Sequence, residues 1–384
     1  MKIPDTSLSW MVEIFESLPD PRVERTKRHP LSSVMVLALF AVICGCEGWD
    51  DMARFSAMKR AWLETWLDLP NGTPSADTFR RVIAMLDPAE FHRCFVAWMS
   101  ALAGGTKDKL VSIDGKTVRG TLRSALGKSA LHLVSAWCAE NSVVLGQVAT
   151  AEKSNEITAI PELLALLDLS GATVTIDAMG CQKKIAEAIV AKSADYILAL
   201  KGNQSTLEHE VQDFFAVARK NDFLDVAHSF HETVDADHGR VEVRRTWATC
   251  DTDWMLDAKK DWKGLRTLIR VENECTKDGK TTVDHRHYIS SHTTADAEHL
   301  GKLVRGHWGI ESALHWVLDV TFREDSCRIH DGHAAENFAL LRKIALALFK
   351  QETSTKTSVA LKKKSAGWDH TYGLKVLAAG FPEK

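Results

Sequence analysis

Three acids stand in settings that suit metal-assisted chemistry on phosphodiesters: Asp114 in KLVSIDGK, Asp177 in VTIDAMG and Glu311 in RGHWGIESALHWVLDV. In the first two strings an apolar run that reads as a strand ends in aspartate, followed within two residues by glycine or another small residue. A carboxylate so placed lies at a sheet edge, open to a cleft yet anchored by a rigid element, which suits a metal ligand. Aspartate at a strand end also caps turns, so either string alone carries both readings. Glu311 lies on a helical stretch where His307, Trp308, Glu311 and His315 recur three or four residues apart, on one side of the helix. The blander alternative puts Trp308 and Trp316 in the core and leaves Glu311 a solvated acid. Asp319, Glu324 and Asp325 are reserves for the third acid.

Such a trio has a clear chemical use. Two divalent ions roughly 3.5 to 4 Å apart activate an attacking water or 3'-hydroxyl and stabilise the leaving oxygen of an in-line displacement at phosphorus. Magnesium or manganese prefers oxygen donors and keeps several waters, so a few carboxylates suffice. Without the ions, three clustered acids repel one another. Donors that could position a phosphate lie close by in sequence: Lys116 and Arg119 after Asp114, and Lys201, Asn203 and Gln204 after the strand-like DYILAL. In the leader, PRVERTKRHP at 21–30 and the Arg80–Arg81 pair could meet DNA through phosphates and some groove readout. Each of these also reads as ordinary solvated charge.

The elements that must position these residues follow from periodicity. Residues 1–105 read as an all-helical N-terminal domain, with Ser75 or Asp77 capping the helix that presents Arg80 and Arg81. Its apolar run Val34–Cys46 is too short for a membrane span and reads as a buried helix. AGGTKDK marks a boundary. KLVSIDG, LHLVSAW and SVVLGQVA then read as three consecutive strands. A helix over 156–167, the strand ATVTIDA, a helix in CQKKIAEAIVAKS and the strand DYILALKG follow, the order found in RNase H-like folds, a mixed α/β core over 106–221. Residues 222–295 read as an inserted β-rich subdomain, 296–350 as the returning helices of the core, and 351–384 as a solvated tail or surface helix containing Lys362, Lys363 and Lys364. At 384 residues, two or three domains are expected. A net charge of −3 leaves any nucleic-acid binding to local patches. The eight cysteines show no CxxC pair, which speaks against a structural zinc site and for reduced thiols in a cytoplasm.

Taken in order, SIDGKTVRG, LHLVSAW, VLGQ, EKSNEITAIPELL, VTIDAMGCQ, DYILALKGNQ, HGRVEVR, HWGIESALHWVLDVTFREDSCRI and AAENFALLRKIALALF resemble the DDE transposases of the ISAs-type insertion sequences, which include the H-repeat-associated proteins. The resemblance covers nearly the whole chain, including LPDPR and PSADTFRRV. It implies an α/β fold: an RNase H-like mixed-sheet catalytic core, an all-helical N-terminal domain and a β-rich insertion before the last catalytic helix. Asp114, Asp177 and Glu311 would be the catalytic acids and metal ligands, holding two Mg2+ or Mn2+ ions. In broader relatives the last helix also carries a tyrosine, an arginine and a lysine; here those positions hold Val304, His307 and Leu318, so phosphate contacts pass to Arg305 or His307, with Trp308 beside them. The resemblance further implies double-stranded DNA as partner, both the terminal inverted repeats and the target, a homodimer at synapsis, no membrane, and a bacterial cytoplasm with the nucleoid as workplace. Trp247 or Trp254 of the insertion would be candidates to stack on a flipped base. Two other readings remain open: an RNase H-like nuclease without strand transfer, and a lapsed transposase that only binds DNA.

Overall fold

A computed structural model describes residues 5–122, 129–150, 156–237 and 239–380. The N-terminal region is helical: α1 (Asp5–Glu16), α2 (Leu31–Ile43), α3 (Trp49–Met58), the single turn α4 (Arg60–Leu63), α5 (Ala76–Met85) and α6 (Pro88–Ala103). All 13 residues of α2 are buried, because a helix apolar all round must be covered all round. Among the described residues, no helix is long and apolar enough to cross a membrane. Local chemistry sets the ends of these helices. Ser75 Oγ accepts the Thr78 N–H at the start of α5, and Asp87 accepts the Ala89 N–H beside Pro88, which needs no donor at that position. Gly104 closes α6 with φ +60°.

The short apolar runs then form β1 (Leu110–Val118), β2 (Leu131–Cys138) and β3 (Val143–Thr150), joined antiparallel. After α7 (Glu156–Leu166) comes β4 (Thr173–Ile176), then α8 (Lys183–Ala191) and β5 (Asp195–Leu200). Here β4 lies parallel to β1, and β5 parallel to β4. The spatial order β3-β2-β1-β4-β5 with this sense of strands is the RNase H-like arrangement. β1 does not end at Asp114 as the glycine-containing string suggests. Gly115–Val118 continue to pair with β2, while the parallel neighbour β4 stops at Ile176, so Asp114 lies within its strand but beyond the end of the next.

Between the core strand β5 and the last helices lie α9 (Ser205–Lys220), β6 (His228–Asp237), β7 (Arg240–Thr249), α10 (Leu256–Asp261), β8 (Thr267–Lys277) and β9 (Lys280–Ser290). This β-rich segment is not a separate sheet. β9 pairs antiparallel with β5, giving one nine-stranded sheet of order β3-β2-β1-β4-β5-β9-β8-β7-β6. Backbone pairing at an open edge favours such an extension. Asp278 and Gly279, both at positive φ, form the two-residue turn between β8 and β9. The DHGR turn falls between β6 and β7; its His238 lies outside the described residues.

The closing helices are α11 (Ala297–His307), α12 (Trp316–Val320), α13 (Ala334–Gln351), α14 (Val359–Trp368) and α15 (His370–Ala378). Ala297, Leu300 and Val304 of α11 pack on Ile197, Ala248, Ile269 and Tyr288 of the sheet. The opposite face, with Val111, Ile113, Val174 and Leu198, joins the large cluster that includes α7, α8 and the N-terminal helices. The C-terminal segment is not a solvated tail. Lys362 and Lys363 are buried, with Lys362 Nζ donating to the carbonyls of Phe349 and Glu352 and Lys363 Nζ to that of Thr321. These ammonium groups satisfy helix-end carbonyls that would otherwise lack donors.

Candidate active site

Strand alternation decides what faces the last helices. Ser112, Asp114 and Lys116 share one face of β1, and Thr175 shares it on β4. Since Ile113 pairs with Ile176, Asp177 sits opposite Asp114 just past the end of β4. Asp177 caps a short turn, its Oδ1 accepting the N–H groups of Met179 at 3.0 Å and Gly180 at 3.3 Å. Burial raises its carboxyl above the usual value, and the charges of Asp114 and Glu156 add to that rise against the pull of the backbone donors. For Asp114, burial also opposes ionisation, but His315, the Gly115 N–H and His307 outweigh it and hold the carboxyl below the ordinary range. One aspartate is therefore stabilised as an anion while its neighbour resists becoming one.

The covering helix supplies the two imidazoles. His307, at the end of α11, lies with Nδ1 3.1 Å from Thr175 Oγ1, and burial pushes its ring below the usual value despite the attraction of Asp114 and Asp177. His315 Nε2 lies 3.2 Å from Asp114 Oδ2. Between them, Glu311–His315 form a π-helical turn in which the Trp316 N–H reaches the Glu311 carbonyl. The expected single face of His307, Trp308, Glu311 and His315 is thus divided: both histidines are buried toward the aspartates, whereas Trp308 and Glu311 are exposed. A break at Trp308 and the wider π turn alter the angular spacing on which a regular helix depends.

The structure brings Asp114 and Asp177 together and leaves Glu311 at the surface, where no ion pair or hydrogen bond holds its side chain among the described residues. Nor, among the described residues, do three or more His, Cys, Asp or Glu side chains converge as a metal-holding group. The donor chemistry still suits a hard divalent cation. Two adjacent half-buried carboxylates, one with its proton affinity raised partly by the other, form a local excess of negative charge that a cation would relieve.

Beside Asp177 opens a cleft of about 400 Å3 lined by Lys201, Arg286, Tyr288, His307 and Trp308, among others. Trp308 is half-exposed, with the Arg286 guanidinium 5.0 Å from its ring centroid. Lys201 is exposed at the cleft. Asn203 and Gln204 instead brace the loop after Asp177, donating to the carbonyls of Ala178 at 2.7 Å and Cys181 at 3.0 Å. Lys116 is not free for a phosphate: it is buried between Asp319 at 2.5 Å and Glu324 at 2.6 Å. Arg119 is exposed, 3.8 Å from Asp325. Arg305 donates to Asp235 at 2.8 Å, Arg80 to Asp77 and Asp331, and Arg81 to Asp77. Trp247 is buried under Arg219 and against Phe230, while the half-exposed Trp254 stacks on Phe214.

Sequence reasoning missed His132 and Glu156. Glu156 Oε1 lies 2.7 Å from His132 Nε2, and both are buried directly behind Asp114. The available signal was Gly115: a Cβ there would collide with Glu156 Oε1 and lie 2.7 Å from His132 Nε2, so any side chain after Asp114 would push this buried pair aside.

Two family models match the chain, one described as a transposase DDE domain over residues 105–348 and one as DDE_Tnp_1-associated over residues 12–99. YncI of Escherichia coli O157:H7, named as a transposase, is 40% identical over 97% of this chain and 95% of its own length. YhhI of Escherichia coli K12, named as an H repeat-associated transposase, is 38% identical over 97% of this chain and 98% of its own. Among solved structures, a piggyBac transposase synaptic complex with hairpin DNA aligns at TM-score 0.41 and 10% identity, covering 97% of this chain and 78% of that one.

Proposed function

Because the chain belongs to the transposase DDE family, we propose that it cleaves DNA at the ends of an insertion sequence and joins the freed ends to target DNA, with Asp114, Asp177 and Glu311 as its catalytic acids. The observation that carries this reading is the juxtaposition of Asp114 and Asp177 at the edge of an RNase H-like sheet, beside a cleft with Lys201, Arg286 and Trp308. Asp114, Asp177 and Glu311 would hold the divalent ions, magnesium or manganese, Asp114 and Asp177 being the two that the sheet brings side by side. Bound there, such ions supply an activated hydroxyl nucleophile and a charge to stabilise the departing oxygen.

The remaining groups act on the substrate and on the acids. His315, with Nε2 3.2 Å from Asp114 Oδ2, favours the ionised form of that carboxyl. His307, kept neutral by burial, ties the helix to Thr175 of β4. Lys201 and Arg286 present donors on the cleft side of Asp177 that suit phosphate oxygens, and Trp308 offers a ring face to a base or sugar. Two DNA ends must be held at once, which fits a homodimer at synapsis.

Asp114→Asn, Asp177→Asn and Glu311→Gln should each reduce metal-dependent cleavage of a duplex carrying the native ends to background, while affinity for that duplex stays within about twofold. Retained cleavage by any of the three removes that residue from the site. Joined products from the unaltered protein separate a transposase from a plain nuclease, and absence of both cutting and joining with binding intact identifies a lapsed enzyme.

A further inference from the structure

Away from the cleft at Asp177, a second concavity is set apart by its charge. Between the segment at 21–29 and the start of α5 lies a groove of about 880 Å3 whose lining includes Arg22, Arg25, Arg28, Arg81, Ser75 and Thr78. Among the described residues no aspartate or glutamate lines it, in a chain whose net charge is −3. Such a local excess of one sign in a near-neutral chain is where a polyanion would be drawn.

The arginines are not equivalent. Arg22 is fixed to Asp20 at 2.8 Å and to the His29 carbonyl at 2.8 Å, which stiffens the segment. Asn71 Nδ2 donates to the Arg28 carbonyl, tying the segment to the loop that precedes α5. On this braced backbone the side chains of Arg25 and Arg28 are exposed, and among the described residues no carboxylate pairs with either. Arg81 reaches the groove from α5, exposed and sharing Asp77 with Arg80 at 3.3 Å. His29 lines the same groove with only 7% of its surface exposed, and its Nδ1 has no partner. A buried polar atom without a partner is rare unless something else completes it.

We propose that this groove grips the sugar-phosphate backbone of duplex DNA, with Arg25, Arg28 and Arg81 on separate phosphates and no base read. The three guanidinium groups come from two chain segments across an open groove, so they match anions repeated along a polymer better than one small phosphate. The N-terminal end of α5, with the Ser75 and Thr78 hydroxyls beside it, adds positive potential at the same place. The proposal rests on the reading that the protein acts on DNA, but it is independent of the catalytic acids.

The test measures binding of the full chain to a fluorescent duplex carrying the native ends, without divalent metal, across a range of salt. Among the described residues Arg25 and Arg28 hold no other side chain, so Arg25→Ala/Arg28→Ala should fold normally. The double variant should bind about tenfold more weakly near 0.1 M salt, with a log–log salt slope shallower by about 1.8, or ~0.9 per lost phosphate contact. Arg25→Lys/Arg28→Lys should recover most of the slope, because charge is what the backbone requires. An unchanged affinity and slope in the alanine variant, with the unaltered protein binding well, overturns the groove alone. If the unaltered protein does not bind the duplex at all, both the groove and the transposase reading fall.

Discussion

Lys116 shows how a residue can be legible in type and illegible in role. It stands two positions after Asp114, so alternation along β1 puts both on one face, and the sequence offers an ammonium next to an acid proposed as catalytic. What covers that face is decided some two hundred residues later, where Asp319 of α12 and the fully buried Glu324 close over the lysine. Burial resists the charge on Glu324, and Lys116, Arg342 and Lys343 outweigh it. Asp114 and Asp177, by contrast, each carry a local mark, an acid after an apolar run with a small neighbour, although Asp114 lies inside β1 and only Asp177 follows the end of its strand. Lys116→Met would remove one partner of this buried ion pair and leave Glu324 without its hydrogen-bonded counter-charge, a change that costs about 3–5 kcal/mol. Urea unfolding of the variant should show a correspondingly lower midpoint with an unchanged slope. A midpoint equal to that of the parent, accompanied by weaker DNA binding, would return Lys116 to the phosphate-contact role that its position in sequence suggests.

The core elements were readable wherever they are local. The apolar runs that became β1 to β5 and the amphipathic stretches that became α7 and α8 each signal themselves within a dozen residues. The joining of β9 to β5 was not readable, since register between distant strands leaves no local mark. Nor was the π turn at Glu311–His315, because one extra residue in a helix leaves the apolar pattern of 297–320 almost intact. Yet the turn absorbs that residue with partners met on both sides: His307 reaches Thr175 before it, and His315 and Asp319 reach Asp114 and Lys116 at its end and beyond. Inserting one alanine after Ser312 would add a residue that the turn does not absorb and rotate everything after it by about 100° relative to what precedes. Contacts on one side of the turn must then be lost. The insertion should lower the melting temperature by several degrees and abolish cleavage, whereas Ser312→Ala, which loses only a 3.4 Å bond to the Gly309 carbonyl, should do neither. Unaltered melting and cleavage in the insertion would mean that the phase of this helix positions nothing.

At the scale of the whole molecule, segments that look separable in sequence share one interior. A single apolar cluster runs from Met11 in α1 to Leu377 in α15, and α13 lies within it, with 14 of its 18 residues buried. A helix with so little polar surface cannot stand at the edge of a domain. β3 covers part of it, α2, α5 and α6 cover more, and α14 and α15 close over its end. The polar links run the same way: Lys362 donates to the carbonyls at the end of α13, Tyr372 Oη donates to Glu352 at 2.8 Å, and Trp98 Nε1 of α6 donates to the Gly380 carbonyl at 3.1 Å. Composition near the C-terminus, with its three consecutive lysines, pointed to solvent because a lysine is buried only when carbonyls or acids are waiting for it, and those come from other elements. Truncation after Gln351 should therefore expose the buried α2 and α13 rather than trim a tail. The shortened chain is expected to melt many degrees lower, to bind a hydrophobic dye in its native buffer, and to lose cleavage although Asp114, Asp177 and Glu311 are all still present. A truncated chain that melts with the parent and excludes the dye would show that the last two helices are appended to the interior instead of completing it, and that the helical leader and the sheet are stable without them.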